Sequence, residues 1–297
     1  MSKQIIIMDT GSAPTDDIVQ KYDNLEIMKM KVVLDGKAYT DGEEIDHNAY
    51  YSKVDKIKEF DTSPPLLSEM KKKYEYLRNK GCNQIIAIHT SSKLSKIIEI
   101  SEKARTLVQA GIDIKIIDTE NMGPGAYLVA EKVIELIYRG KTYEKITELL
   151  PKLKSGTYLQ TSLSTSKYTV KNKKAGTSPG LMDKFLKVRP ILAIDREGYL
   201  SPVSNEKGRE NVIDKITDNA VKFIEKRPYN VKVYVSYGLE KDQKEMDELT
   251  DAFMGKFEKL KIRHYNIIKN RMWPTMACMS GPDTYGLAIY GEELPID

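Results

Sequence analysis

Short apolar runs alternate with amphipathic stretches along the first half of the chain. Apolar runs of about four to eight residues are typical of buried parallel strands, and apolar residues at helical spacing indicate helices. The pattern predicts strands at 5–8, 25–34, 84–88 and 112–117, and helices at 15–22, 68–80, 93–110 and 125–138. Strands that alternate with helices of this length predict an α/β fold, a three-layer α/β/α domain with a mostly parallel sheet.

The pattern changes beyond about residue 155. Two predicted strands flank the turn Arg196-Glu197-Gly198, which is typical of a hairpin. The predicted elements are strands at 188–195, 199–203, 231–237, 263–268 and 285–290, and helices at 210–226 and 241–259. Hairpins that alternate with single helices favour a two-layer α/β domain with a mixed sheet. We therefore predict two domains, residues 1–155 and residues 156–297.

The composition restricts the class of protein. The 297 residues are 40% hydrophobic and 30% charged, as in globular proteins, and no apolar run reaches the length of a membrane span. The N-terminus lacks the apolar stretch of a signal peptide, so we expect a cytoplasmic protein. A net charge of +4 is too small to indicate nucleic-acid binding. Two cysteines and three histidines without metal-ligand spacing favour a protein with no metal and no cofactor.

One segment is strongly basic. Residues 167–189 hold seven basic side chains against the single acid Asp183. A run of this kind is usually a solvated face, and otherwise a docking surface for an acidic partner, a phosphate or a membrane. The sequence leaves both interpretations open.

Two hydroxyl-rich stretches carry the candidate chemistry. They are Thr62-Ser63-Pro64-Pro65 and Thr90-Ser91-Ser92-Lys93-Leu94-Ser95, and the second directly follows the predicted strand at 84–88. In open α/β sheets, ligands bind beyond the carboxyl ends of strands, where loop hydroxyls and helix N-terminal amides converge. The alternative is that Ser91 and Ser92 only cap the following helix.

Seven short motifs occur in order along nearly the whole chain. They are Asp9-Thr10-Gly11-Ser12, Tyr39-Thr40-Asp41-Gly42, Thr62-Ser63-Pro64-Pro65, Ser91-Ser92-Lys93-Leu94-Ser95, Ile117-Asp118-Thr119, Val188-Arg189-Pro190-Ile191-Leu192 and Ser280-Gly281-Pro282. Together they resemble the DegV family of bacterial lipid-binding proteins. The resemblance implies an α/β/α domain joined to a mixed two-layer domain, with a long-chain fatty acid enclosed between them.

The resemblance also implies the binding site and a partner. Thr62 and Ser92 match the donors of hydrogen bonds to the carboxylate of the fatty acid, and Ser63 and Ser91 shape their loops. An apolar tunnel holds the acyl chain, and the 12 methionines suit an adaptable lining. Some family members are acyl-carrying subunits of fatty acid kinase, so the implied partner is a catalytic subunit resembling dihydroxyacetone kinase.

Two of the departures of this chain from the family pattern bear on a kinase partner. The family commonly carries a His before its C-terminal Thr-Gly-Pro-Gly, and Met279 stands at that position here. A thioether cannot donate a hydrogen bond to a carboxylate. Met279 and the following Ser280 are included in the candidate ligand-binding site. The Gly-Gly-Arg of the family is absent. Lys171, Lys207 and Arg209 are therefore the candidate docking residues for a partner. These departures favour ligand binding over support of a kinase.

Three hypotheses follow from the sequence. The first is a non-catalytic protein that binds a long-chain fatty acid, the second a stand-alone enzyme such as a phosphotransferase, and the third a binder of another amphipathic acid. Against the second, the chain has no phosphate-binding glycine loop and no nucleophile elbow. Ser92 has no evident general base, and we interpret His89 as a packed or capping histidine. The sequence favours the first hypothesis.

Overall fold

The secondary structure follows the predicted alternation, with additions. The computed structural model describes residues 3–163, 188–238 and 243–296. The described strands are β1 (Lys3–Asp9), β2 (Leu25–Met28), β3 (Lys31–Leu34), β4 (Lys37–Thr40), β5 (Phe60–Ser63), β6 (Cys82–His89), β7 (Asp113–Asp118), β8 (Thr157–Ser162), β9 (Arg189–Ile194), β10 (Leu200–Glu206), β11 (Tyr229–Tyr237), β12 (Tyr265–Arg271) and β13 (Tyr285–Glu292). The described helices are α1 (Asp16–Lys21), α2 (His47–Tyr51), α3 (Leu67–Asn79), α4 (Ile97–Leu107), α5 (Gly123–Tyr138), α6 (Tyr143–Ser155), α7 (Arg209–Ile224), α8 (Gln243–Phe257) and α9 (Pro274–Ser280).

A four-stranded parallel sheet, in the order β2-β1-β6-β7, forms the centre of the N-terminal half. Successive side chains of a strand point to opposite faces of its sheet. Ile5 and Ile7 of β1 therefore pack against α3 and α4, whereas Ile6 and Met8 join the core that contains α5. The sheet is covered on both faces, as the sequence predicts.

Helix α5 lies between the two main sheets. It contacts β8, β11 and β13, and its side chains share one core with those of β1 and β6. Every residue from Gly123 to Ile134 is buried. A helix that is apolar on nearly all sides must be buried on nearly all sides, which explains why this one occupies the middle of the molecule.

A six-stranded mixed sheet, in the order β10-β9-β8-β13-β11-β12, forms the C-terminal half. Strands β11 and β12 are parallel, and the other described pairs are antiparallel. Val233 and Ile289 pack with α7 and α8 on one face, while Tyr234 and Ala288 join the core around α5 on the other. The predicted fold class is confirmed, with a parallel sheet in the N-terminal part and a mixed sheet in the C-terminal part.

A small antiparallel sheet, in the order β4-β3-β5, corrects one prediction. The alternating stretch at 25–34, predicted as one strand, is divided between two sheets because β2 pairs with β1, whereas β3 pairs with β4 and β5. The turn Asp35-Gly36 joins β3 to β4, and both residues have positive φ, as a tight hairpin requires. Strand β5, which the pattern does not predict, places Thr62 opposite Val32.

The helix after the serine-rich stretch also differs from prediction. Helix α4 begins at Ile97 rather than at residue 93, since the N–H groups of Leu94 and Ser95 both donate to the Ser91 carbonyl in a separate turn. Ser91 and Ser92 therefore do not cap this helix. Ser95 does so in part, because its hydroxyl accepts a hydrogen bond from the Ile97 N–H at 3.2 Å. Helices α6 and α9 and strand β8 are further elements that the pattern does not predict.

The predicted boundary near residue 155 coincides with a change of element, because α6 ends at Ser155 and β8 begins at Thr157. The division into domains 1–155 and 156–297 stays a prediction. Most of the basic segment at 167–189, including Lys171, lies outside the described residues. Within the described ranges, no helix has the length and apolar character needed to cross a membrane.

Candidate functional site

A cavity of about 290 Å³ lies beyond the carboxyl ends of the parallel strands. Gly11 follows β1, Thr90 follows β6 and Met122 follows β7, and all three line this cavity. This edge of a parallel sheet is where ligands of open α/β folds bind. The location agrees with the position predicted from the hydroxyl-rich stretches.

Hydroxyl groups form most of the uncharged polar wall. The residues that supply them are Thr62, Ser63, Thr90, Ser92, Ser95 and Thr275. Thr62 is buried in β5 with 4% of its surface exposed, whereas Ser92 is exposed in the loop after β6. A hydroxyl donates one hydrogen bond and accepts others, so this wall suits a polar head group.

The charged groups of the wall are positive. Lys93 and Lys96 line the cavity, and no acidic residue is present among the described lining residues. The Lys93 ammonium lies 5.4 Å from the centroid of the Tyr199 ring. Met122 is the N-cap residue of the 16-residue helix α5, so the positive end of that helix dipole also faces the cavity. These groups favour an anion.

The remaining wall is apolar and rich in sulfur. Its side chains are Met30, Pro64, Leu94, Met122, Met276 and Met279. Methionine is unbranched and flexible, and it adapts to ligands of irregular shape. A cavity with hydroxyls and lysines on one side and thioethers on the other fits an amphipathic anion.

Four of the six predicted ligand-binding residues line this cavity: Thr62, Ser63, Ser92 and Met279. They come from β5, the loop after β6 and helix α9, which are distant in sequence. The structure thus brings together the two hydroxyl-rich stretches and Met279, the residue before the C-terminal motif. Met279 occupies the wall at the position where the resemblance implies a histidine.

The other two predicted residues have structural contacts instead. The Ser91 hydroxyl is fully buried and donates to the Gly198 carbonyl at 2.9 Å, which fastens the serine loop to the turn between β9 and β10. The Ser280 hydroxyl donates to the Met276 carbonyl at 2.9 Å within α9. Neither side chain is part of the cavity wall.

The two predicted docking residues that the structure describes, Lys207 and Arg209, are not part of the cavity wall. Arg209 begins α7 and forms an ion pair with Glu248 of α8. Lys207, two residues earlier, is exposed. Lys171 falls outside the described residues.

A buried carboxylate behind the wall is the feature that the sequence did not single out. Asp41 is fully buried, and its Oδ2 atom accepts hydrogen bonds from the Thr275 N–H at 3.2 Å and from the Thr275 hydroxyl. Burial raises the pKa of Asp41 to about 6, although hydrogen bonds from Thr275 and Thr10 and the charge of Lys29 act in the opposite direction. Its place in the motif Tyr39-Thr40-Asp41-Gly42 is the signal that the sequence offers.

Comparison with protein families and with curated proteins gives one consistent result. The family model described as "Uncharacterised protein, DegV family" matches residues 3–292. A DegV domain-containing protein of Clostridium acetobutylicum is 25% identical over 290 residues, which cover 98% of this chain and 99% of that protein. A DegV domain-containing protein of Staphylococcus aureus is 24% identical over 300 residues, covering 97% and 99%.

Solved structures of similar fold come from the same family. A DegV family protein from Thermus thermophilus, described by its fatty acid binding, has a TM-score of 0.83 at 20% identity and covers 97% of this chain and 99% of its own. A stearic acid-binding protein from Eubacterium ventriosum has a TM-score of 0.84 at 18% identity, covering 99% of both chains. At these identities the likeness establishes the fold.

Proposed function

This chain belongs to the DegV family, and from that premise we propose that it binds a long-chain fatty acid. The observation that carries the proposal is the composition of the cavity wall, which joins six hydroxyl-bearing residues and two lysines to four methionines. Such a wall is complementary to a carboxylate followed by an alkyl chain. The structurally similar proteins from Thermus thermophilus and Eubacterium ventriosum, described as binding fatty acids, support the same ligand class.

The proposed head-group site lies between Thr62 and Ser92. A carboxylate that leaves water must be hydrogen-bonded, because an unpaired charge in an apolar environment costs several kcal/mol. The two hydroxyls come from strand β5 and from the loop after β6, and Lys93 and Lys96 add positive charge to the same wall. Ser63, the last residue of β5, lines the cavity next to Thr62.

The acyl chain is proposed to lie along the methionines. Burial of each CH₂ group contributes about 0.8 kcal/mol, so a long chain gains most of its affinity from an apolar tunnel. The cavity volume of about 290 Å³ is just below the usual range of ligand pockets, about 300–1,000 Å³. We therefore propose that Met30, Met122 and Met276 change rotamer and lengthen the cavity when the ligand enters.

The protein is proposed to bind its ligand without transforming it. No His, Cys, Asp or Glu is present among the described residues of the cavity wall, and general acid–base catalysis most often uses such a group within hydrogen-bond reach. A separate question is whether the protein presents its fatty acid to a kinase subunit. With Met279 in place of the family histidine and Arg209 paired with Glu248, we propose that such support is weak.

The test is the double variant Thr62→Val and Ser92→Ala. The protein is purified, denatured, and the released lipid is identified and quantified by mass spectrometry. Each charge-assisted hydrogen bond that is lost costs about 1.5–3 kcal/mol, so we expect the variant to lose its fatty acid while its unfolding transition is retained. The matched control is Thr106→Val with Ser52→Ala, the same chemical changes at exposed positions, and it should keep a normal load.

The same measurement separates the competing hypotheses. A released C14–C18 acid in the wild-type protein supports the proposal, and a different amphipathic acid selects the third hypothesis. A normal lipid load in the double variant would place the head group elsewhere. A wild-type protein that contains no lipid and takes up none from solution would reopen the hypothesis of a stand-alone enzyme.

A further inference from the structure

Asp41 lies directly behind the cavity wall and touches it from two sides. Its backbone N–H donates to the carbonyl of Met30 at 2.9 Å, and its carboxylate accepts the two hydrogen bonds from Thr275. Met30 and Thr275 both line the cavity. A single buried residue thus connects an ionisable group with the wall on which the proposed carboxylate ligand is held.

The Thr275 hydroxyl has one proton, which it donates in a hydrogen bond to the ionised Asp41 carboxylate. While Asp41 is charged, Thr275 can only accept hydrogen bonds from a ligand. When Asp41 is protonated, its own O–H can donate to Thr275, and the Thr275 proton becomes available to the cavity. Protonation also removes a negative charge from behind a site that receives an anion.

Charged and titratable groups surround Asp41 on several sides. Lys31 of β3 and Glu44 both form hydrogen bonds with Thr40, the residue before Asp41. Lys29, between β2 and β3, lowers the pKa of Asp41 by its charge and lies 5.3 Å from the Trp273 ring centroid. His47 of α2 packs on the same ring at 5.4 Å, and burial lowers the pKa of this imidazole. Asp9 at the end of β1 accepts hydrogen bonds from the residue after β6. Helix α9, which carries Thr275, contains no charged residue.

We propose that Asp41 is a proton-linked residue of the ligand site, which takes up one proton from solvent when an anionic ligand enters the cavity. This inference rests on the proposed function. The ligand carboxylate raises the proton affinity of Asp41, and by reciprocity the protonation of Asp41 raises the affinity for the ligand. Asp41 acts through Thr275 and is therefore a positioning residue.

The direction of the pH dependence follows from this linkage. In the free protein the carboxyl group titrates near pH 6, and with a ligand anion beside it the same group titrates at a higher pH. Affinity is greatest when Asp41 is neutral in both states and falls as pH rises through the interval between the two pKa values. A separation of one pKa unit changes the affinity by about tenfold.

The experiment measures the Kd of decanoate between pH 5.5 and 8 for the wild type, for Asp41→Asn and for Asp251→Asn. Decanoate is a monomeric probe, and its binding is followed by the fluorescence of Trp273, the single tryptophan of the chain, which precedes helix α9. Asp251 is an exposed carboxylate on α8, so its variant controls for the change of net charge. The titration of decanoate itself affects the Kd of all three proteins equally. The ratio of the Kd of the wild type to the Kd of Asp41→Asn therefore reports only the titration of Asp41.

We expect Asp41→Asn to bind about tenfold more tightly than the wild type at pH 8 and equally at pH 5.5, with Asp251→Asn like the wild type. An identical pH dependence in wild type and Asp41→Asn would overturn the linkage. If Asp41→Asn does not fold, the binding of decanoate to the wild type is measured by calorimetry at pH 6.5 in two buffers of different ionisation enthalpy. The difference between the two binding enthalpies gives the proton uptake on binding, and zero uptake would contradict the proposal. Failure of both decanoate and a C14–C18 acid to bind at any pH contradicts the proposed function itself, and the linkage with it.

Discussion

The buried carboxylate of Asp9 fixes one wall of the cavity. It accepts hydrogen bonds from the Thr90 hydroxyl at 2.8 Å and from the Thr90 N–H at 3.0 Å, and it lies 3.0 Å from Nδ1 of His89. The other ring nitrogen of His89 is 3.2 Å from the Ser101 hydroxyl. The interpretation of His89 as a packed histidine is confirmed, because both ring nitrogens have partners in the core.

Gly11 is predicted to be required for this arrangement. A Cβ atom at position 11 would lie 2.8 Å from Asp9 Oδ1 and 2.8 Å from the Thr90 hydroxyl, which is too close for either atom to stay in place. We expect Gly11→Ala to lower the free energy of unfolding by about 1–3 kcal/mol and to weaken ligand binding. Urea denaturation and a decanoate titration measure the two effects.

The control for this prediction is Gly255→Ala. Gly255 lies inside helix α8, and a Cβ atom there meets nothing within 4 Å. Alanine is the better helix former by up to about 1 kcal/mol, so this variant should be more stable than the wild type with unchanged binding. Equal effects of the two substitutions would contradict the role given to Gly11.

Met279 provides a second prediction at the residue scale. Since Met279 lines the cavity, Met279→His adds a donor near the head group, and the donor gains positive charge below about pH 6.5. We expect tighter binding of decanoate, most visibly at pH 5.5–6.5. Met279→Leu is the matched control without a donor. Affinity that is the same for both variants from pH 5.5 to 8 would show that position 279 contacts the acyl chain.

A site residue can be predicted from the sequence when local residues determine its orientation, and cannot when a distant contact does. Ser92 could be found from the sequence because it lies in a hydroxyl cluster after a predicted strand, and such clusters favour the ligand edge. Thr62 and Ser63 could be found only because the motif Thr62-Ser63-Pro64-Pro65 resembles that of the family. Ser91 could not be separated from Ser92, since its direction depends on the Gly198 carbonyl, 107 positions away. The importance of Asp41 rests on its contact with Thr275, 234 positions away, which no local pattern encodes.

For helices and strands, the sequence predicts which segments form secondary structure better than it predicts which strands pair with each other. The stretch at 25–34 keeps its alternation across the break between β2 and β3, so nothing local shows that two sheets share it. Strand β5 contains Phe60 as its single strongly apolar residue and lacks the run that identifies a buried strand. The long helix α5 was predictable, because its apolar positions continue through four turns.

A buried ion pair ties α5 to the mixed sheet. The Lys132 ammonium lies 2.7 Å from Oε1 of Glu292 at the end of β13, and each side chain is 2% exposed. We expect Lys132→Met to lower the free energy of unfolding by about 3–5 kcal/mol, because it leaves a buried carboxylate without its cation. The double variant Lys132→Met with Glu292→Leu is the control and should regain most of the loss in a urea titration.

The pH dependence of this pair has a defined sign. Burial acts to raise the pKa of Glu292, but hydrogen bonds from Lys132, Tyr290, the Ile296 N–H and Asn230 outweigh it, and the pKa is below its ordinary value. A depressed pKa in the folded state contributes stability that is present above the pKa of the unfolded chain and is lost as pH falls through the folded pKa. As the pH falls below about 4.5, the free energy of unfolding should therefore decrease less for the double variant than for the wild type.

At the scale of the whole molecule, both halves of the chain contribute to the cavity. Gly11, Thr62 and Thr90 belong to the N-terminal half, whereas Thr275 and Met279 belong to α9 in the C-terminal half. Helix α5 packs against both main sheets and holds the halves in one continuous core. A ligand bound in this cavity would contact both halves, so its binding would depend on how the halves pack against each other.

A kinase partner would need donors and cations on the surface that the protein presents to it. Transfer of a phosphoryl group to a bound carboxylate develops negative charge, which positioned cations and hydrogen-bond donors stabilise. Here Met279 supplies no donor, and Arg209 is engaged by Glu248. We expect acyl phosphate formation with a fatty acid kinase catalytic subunit and ATP to be about 100-fold slower than with a family member that keeps the histidine and the arginine.

The assay measures acyl phosphate and bound fatty acid in the same samples, so that poor transfer is distinguished from poor binding. Met279→His is the informative variant, because it should recover part of the rate if the missing donor is the cause. Lys207→Ala tests the exposed cation near α7 and should lower whatever rate remains if that face meets the catalytic subunit. A wild-type rate equal to that of the control protein would show that a thioether at position 279 is compatible with the transfer, and that the departures from the family pattern do not limit partnership.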